Sequence, residues 1–220
     1  VAEKTTRHGL DINRLRWLMN KWTPSENSLR DALDVLVHDM RILTGFERVM
    51  MYQFRPDGSG EVVAESITVD TDSFLGLRFP KWDIPQTASA ISLEQPNRVI
   101  ADVEADDVPL LSLNPDGAAV DMTLAELRGT SPIHKKYLSN MGVQASLVIP
   151  IVIRGNLWGL VSCQHSGPKR LTITETLSLE LAGQMLNSHL GKVVEFDAIK
   201  SGDFFEDITR GVFQDRSKDQ

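Results

Sequence analysis

A single cysteine, Cys163, is all the thiol chemistry these 220 residues hold. An internal disulfide is thereby impossible, and so is a metal site built from several thiolates. No apolar run approaches the ~20 residues of a bilayer-spanning helix, and the opening stretch VAEKTTRHGLDINR lacks the apolar core of a secretory signal. Basic residues are short too: 23 Lys and Arg stand against 30 Asp and Glu, a net charge of -7. Such a surface repels phosphate backbones and anionic headgroups, so neither nucleic acid nor a membrane is an expected partner. A glycine-rich phosphate loop, a cluster with metal-ligand spacing and a nucleophile beside a base are all missing, so no enzyme is expected. A reducing cytoplasm is the compartment that fits.

What is present reads as one core with helical flanks. Ile12, Leu15, Leu18, Met19 and Trp22 recur at helical spacing over Asp11 to Trp22. Thr23-Pro24-Ser25-Glu26 then combines an N-cap, a first-turn proline and a glutamate three residues on, a capping box. Leu29, Leu33, Leu36, Val37 and Met40 continue at helical spacing until Thr44-Gly45, the stop signal. Beyond it the period changes. Arg48–Phe54 and Gly60–Glu65 read as strands reversed by Arg55-Pro56-Asp57-Gly58-Ser59.

A long proline-punctuated stretch follows, from Thr68 to about Gly129, with short helical turns expected at Gln86–Leu93 and Leu124–Arg128. Loops of this length inside a compact domain are uncommon unless they serve a function. Ala145–Ile153 and Asn156–Cys163 read as a hairpin turning at Arg154-Gly155. Thr172-Ile173-Thr174-Glu175 is a second capping box, opening a long helix with Leu177, Leu181, Met185, Leu186, Leu190 and Val193. Helix, two strands, long excursion, hairpin and long helix make an α+β fold, an antiparallel sheet flanked by helices. Leu147, Ile149, Ile151, Leu157, Trp158 and Leu160 are the expected buried sheet. The divisions are an N-terminal helical segment over 1–22, the domain over 23–195, and the start of a linker or following domain over 196–220.

Three blocks carry a family resemblance. They are Phe74-Leu75-Gly76-Leu77-Arg78-Phe79-Pro80-Lys81-Trp82-Asp83-Ile84-Pro85, Leu127 to Val143 with Ser131-Pro132-Ile133-His134 inside it, and Leu157-Trp158-Gly159-Leu160-Val161-Ser162-Cys163-Gln164-His165. Together and in this order they resemble the GAF domain of phytochromes, of the bacterial type, over about Thr44 to Leu190. The resemblance implies a GAF fold with long terminal helices and a linear tetrapyrrole (a bilin, biliverdin or phycocyanobilin) as cofactor. It implies that Asp83 and His134 face the inner pyrroles, and that Arg98 and Arg128 clamp a propionate with Ser131 and Ser146 beside them. Met50, Tyr52, Phe74, Phe79 and Tyr137 would surround the outer ring, the one that isomerises.

The chemistry suits such a ligand. A conjugated plane with two carboxylates needs aromatic walls and cationic anchors, and the arginine fork binds carboxylate bidentately while keeping its charge. A histidine, with a pKa near neutrality, suits a chromophore that cycles a proton. Departures from the family pattern are equally specific. Ile133 stands where plant and many cyanobacterial phytochromes carry the attachment cysteine, and Gln164 replaces the first histidine of a Cys-His-His, so an amide must meet the outer-ring carbonyl. Ser89 and Val148 replace an arginine and a hydroxyl. Non-covalent binding is therefore expected.

Each residue alone has a plainer reading: Asp83-Ile84-Pro85 a turn, Ser131-Pro132 a helix start, Arg98 and Arg128 surface ion pairs, Met50, Phe74 and Phe79 core, and Cys163 a small buried hydrophobe. Only their joint occurrence points to pigment. The resulting expectation is a photosensory module that relays light through its terminal helices and serves an output domain beyond residue 220. It is expected to form a homodimer by pairing the helix from Thr172, whose Leu177, Leu181, Met185 and Leu190 exceed what one small sheet face needs, and the helix from Thr23 with their copies. The rival is a pigment-free relative kept for dimerisation or regulation.

Overall fold

The computed structural model describes residues 13, 29–83, 91–111, 120–126 and 128–201. Except for Asn13, the first helix expected from the sequence lies outside them. So do the Thr23 capping box, Ile84, Pro85, Ser89 and the last residues of the chain.

Helix α1, Leu29–Thr44, turns an apolar stripe of Leu33, Leu36, Val37, Met40 and Leu43 inward. It ends as its sequence demands. Gly45 takes φ 65°, the left-handed conformation that costs glycine least, and its N–H closes on the Arg41 carbonyl. Strands β1 (Arg48–Phe54) and β2 (Gly60–Ile67) follow, then β3 (Arg78–Phe79), a 3-10 turn at Lys81–Asp83 and β4 (Arg98–Ile100). Residues 91–94 are helical and 123–126 lie in turns, within or beside the two expected helical turns. Helix α2, Pro132–Asn140, precedes the hairpin of β5 (Ala145–Ile153) and β6 (Asn156–His165), and helix α3, Ile173–Ser201, ends the described chain.

The six strands form one sheet in the order β3-β2-β1-β6-β5-β4, with the pairs between neighbours antiparallel. The hairpin turn forms at Arg154-Gly155, where φ is 51° and 75°, the pair of positive values a two-residue type I′ turn needs. Thr172 and Glu175 form the expected capping box: each side chain accepts from the other's backbone N–H, at 3.3 and 2.8 Å.

Strand alternation divides the sheet into two faces. Val49, Met51, Ala64, Leu147, Ile149, Ile151, Val161 and Cys163 meet α1 and the Leu179, Ala182, Leu186 and Leu190 stripe of α3 in the main core. The other face carries Met50, Tyr52, Val62 and Leu160 in a second cluster. Two bulges adjust this pattern. Val63 has no partner between Tyr52↔Val62 and Met51↔Ala64, so Val62 and Ala64 face opposite ways. Trp158 is similarly extra beside Ile151/Val152, where Asn187 Oδ1 of α3 accepts from the Val152 N–H at 3.1 Å.

Two expectations need correction. Leu157 and Trp158 are only partly buried, because they flank the second bulge. Leu190 belongs to the chain's own core, whereas Leu177 and Leu181 are 60% and 40% exposed. Ser131-Pro132 does start α2, with Ser131 at the N-cap position and Pro132 in the first turn, although Ser131 makes no side-chain cap hydrogen bond.

Candidate functional site

The sheet face turned away from α1 and α3 is ordered by register into two rows that mix polar and apolar side chains. Arg98 of β4 pairs with Val148 of β5, Val148 with Ser162 of β6, Ser162 with Met50 of β1, and Met50 with Glu65 of β2. One step along, Ile100, Ser146, Gln164 and Arg48 make a second row. Because side chains repeat every two residues, all of these face the same side. Residues far apart in sequence thus share one surface.

At the β1–β2 end this surface is aromatic. Tyr52 is buried, its ring centroid 5.4 Å from that of Phe54 and 5.9 Å from that of Phe79, and Phe74, Phe79 and Val148 pack on the cluster. Gly60 makes room for Tyr52, for a Cβ there would lie inside the phenol ring. Four of the five expected outer-ring residues, Met50, Tyr52, Phe74 and Phe79, therefore assemble in one cluster. Tyr137 does not join them. It packs with Ile100 and Val103 and stacks on His134, ring centroids 6.2 Å apart.

At the β4 end the surface is cationic. The Arg98 guanidinium donates through Nη1 to the Glu126 carbonyl at 2.9 Å and through Nη2 to the Arg128 carbonyl at 2.8 Å. Nη2 also reaches the Gly129 carbonyl and Thr130 Oγ1. Arg128 donates through Nη1 to Gln95 Oε1 and the Ala125 carbonyl. Among the described residues neither arginine has a carboxylate within ion-pair distance, and the Nε–H of each is unused. Burial, and then the charge of Arg128, hold Arg98 down to about 10, so it stays cationic at neutral pH. Partly buried guanidinia with no described anion beside them are groups to which a carboxylate would be a favourable partner.

His134 is exposed in the first turn of α2. Desolvation and then the charge of Arg98 push its pKa below the ordinary histidine value, so it is neutral at pH 7. Ser131 is exposed just ahead of it, and Ser146 is buried in the second row. Asp83 closes the 3-10 turn, with its side chain outside the described residues. Ile133 is 83% exposed, and Cys163 is fully buried on the opposite, main-core face with its thiol pKa pushed far up by desolvation.

Sequence reasoning missed the other polar constellation here. Arg48 and Glu65, with side chains 7% and 3% exposed, lie 3.7 Å apart on this face, and Arg48 Nη1 donates to Gln164 Oε1 at 2.8 Å. The available signal was strand parity: Arg48 is a charge two residues from Met50 and four from Tyr52 in an apolar strand.

The pattern of the GAF domain family matches residues 28–191. The chain is 42% identical over 164 residues to the bacteriophytochrome of Pseudomonas aeruginosa, covering 74% of this chain and 22% of that protein. It is 41% identical over 181 residues to a phytochrome-like protein of Synechocystis, covering 81% and 23%. Its fold is similar to the crystal structure of the chromophore-binding domain of an unusual bacteriophytochrome from R. palustris, with TM-score 0.77 and 32% identity, over 83% of this chain and 62% of that one. The corresponding domain of the Stigmatella aurantiaca bacteriophytochrome, in the Pr state, gives 0.77 and 33%, over 81% and 59%. The chain thus spans less than a quarter of the length of these two curated relatives.

Proposed function

Because this chain belongs to the GAF domain family and is homologous to the bacteriophytochromes, we propose that it binds a linear tetrapyrrole as a photosensory module. The observation that carries the reading is the Arg98–Arg128 pair. Among the described residues, Arg98 on this sheet face and Arg128 beside it have no carboxylate partner, and the same face carries an aromatic cluster, a buried amide and, near Arg98, a neutral imidazole. Such a surface fits a flat, conjugated dicarboxylate.

The bilin supplies light absorption and isomerisation of its outer ring. The protein's part is to anchor and orient. Arg98 and Arg128 hold a propionate, with Ser131 and Ser146 as hydroxyl partners, and Asp83 and His134 serve the inner pyrroles. His134, being neutral, can accept a proton there. Met50, Tyr52, Phe74 and Phe79 bound the outer ring, Gln164 meets its carbonyl, and Tyr137 reaches the site through its stack on His134. Within these 220 residues binding is non-covalent, since their one thiol, Cys163, faces the main core. The signal leaves through the terminal helices of a cytoplasmic homodimer toward an output domain. The exposed Leu177 and Leu181 of α3 support that dimer, and a concentration-independent monomer in analytical ultracentrifugation would refute it.

Mixing the purified chain with biliverdin tests the reading. A red-shifted, light-responsive absorption band is expected. No change from free biliverdin would instead support a pigment-free domain kept for dimerisation or regulation, a rival favoured by the main-chain carbonyls that already engage Arg98.

A further inference from the structure

Arg48 and Glu65 lie beside the proposed pigment contacts and have no part in the function described so far. Its guanidinium is fixed from four sides. Nε and Nη2 donate to the Asp72 carbonyl at 3.3 and 2.7 Å, and Glu65 lies 3.7 Å away. The Phe74 ring lies under Cζ at 3.9 Å, and Nη1 donates to Gln164 Oε1 at 2.8 Å. Glu65 is fixed in turn, accepting from Ser73 Oγ at 2.5 Å and from the Phe74 N–H at 2.9 Å. Arg48 and Gln164 are also direct register partners on β1 and β6, so the contact is set by the sheet itself.

A carboxamide has one accepting and one donating end, and arginine can only donate. Gln164 must therefore turn its oxygen to Arg48, which leaves its Nε2–H2 free of any hydrogen bond to the described residues. We propose that Arg48, braced by Glu65 and the Asp72 carbonyl, is a positioning residue that locks the Gln164 amide with its donor end toward the ligand face, where it donates to the outer-ring carbonyl of the pigment. Glutamine alone offers either end, whereas a glutamine held this way offers only a donor. The identity of the acceptor rests on the bilin reading above; the lock itself does not.

The test uses the whole chain loaded with biliverdin and reads the outer-ring carbonyl band by infrared spectroscopy. A carbonyl that loses a hydrogen bond absorbs at higher frequency. Gln164→Leu should raise the band. Arg48→Lys should raise it too, because one ammonium keeps a cation beside Glu65 but cannot also serve Asp72 and Gln164. The double variant should go no further. A band unmoved in Gln164→Leu with biliverdin still bound overturns the donor assignment. A band that moves in Gln164→Leu but not in Arg48→Lys overturns the positioning role. If wild type takes up no biliverdin, the bilin reading fails instead, and urea unfolding of the pigment-free variants decides the lock. A smaller cost of Arg48→Lys in the Gln164→Leu background upholds it, and strict additivity overturns it.

Discussion

Replacing Arg98 and Arg128 together by alanine should weaken biliverdin binding by about two to four powers of ten. A hydrogen bond to a charged group contributes about 1.5–3 kcal/mol, and about 1.4 kcal/mol is one decade of affinity. The structure favours the lower end of that range. Arg98 already donates to the Glu126 and Arg128 carbonyls, so a propionate gains mainly the N–H groups left over, the Nε–H of each arginine and the Nη2 of Arg128. The two arginines also contribute unequally to the fold. Arg98 ties four acceptors of residues 126–130, while Arg128 holds only Gln95 Oε1 and the Ala125 carbonyl. Arg128→Ala is therefore the cleaner single variant, and thermal melting of each protein separates lost anchoring from lost loop order. Arg55→Ala serves as control, because Arg55 pairs with Glu61 in a partly exposed bridge worth little. Absorbance titration with biliverdin is the assay. If the double variant binds within about threefold of wild type, well under one decade, the propionate-clamp assignment is wrong.

Two glycines should separate fold from site. Gly159→Ala drives a Cβ into the main-chain carbonyl of Tyr52, which cannot swing away, so a loss of about 1–3 kcal/mol is expected in urea unfolding. Gly60→Ala would place its Cβ on Cζ and Oη of Tyr52, which clear it only if the whole side chain swings at χ1, so it should displace the pigment's absorption band as well as cost stability; an unmoved band would contradict this. Denatured holoprotein should show no zinc-induced pigment fluorescence in a gel, and a surviving band that vanishes in Cys163→Ser would make Cys163 an attachment site despite its burial. Acid should destabilise the fold through His134 and His189. Both have folded-state pKa values below the unfolded value, His189 through burial and then Lys192, so the unfolded chain binds more protons and stability falls as pH drops through about 6.5. Thermal melts from pH 7.5 to 5 check this, and a His134→Gln/His189→Gln variant with an undiminished slope would refute it.

The sequence by itself determined everything that depends on local period and turn chemistry. The apolar stripe of α1, the stop at Gly45, the Arg154-Gly155 turn and the Thr172–Glu175 cap all lie within a few residues of the signals that specify them. The three long blocks likewise named the family, because motif order survives in one dimension. The aromatic set was legible through that resemblance, and the structure gathers Met50, Tyr52, Phe74 and Phe79. What only the tertiary structure decided are contacts between strands distant in sequence. Gln164 faces Arg48 across 116 positions, and that pairing comes from β6 lying beside β1, which no local period encodes. The bulges at Val63 and Trp158 shifted faces that simple alternation misassigns. Leu190 looked like a free helix stripe until α3 was docked on the sheet. Arg98 and Arg128 read as ion-pair partners one by one, and only the tertiary structure shows that no described carboxylate lies within ion-pair distance of either.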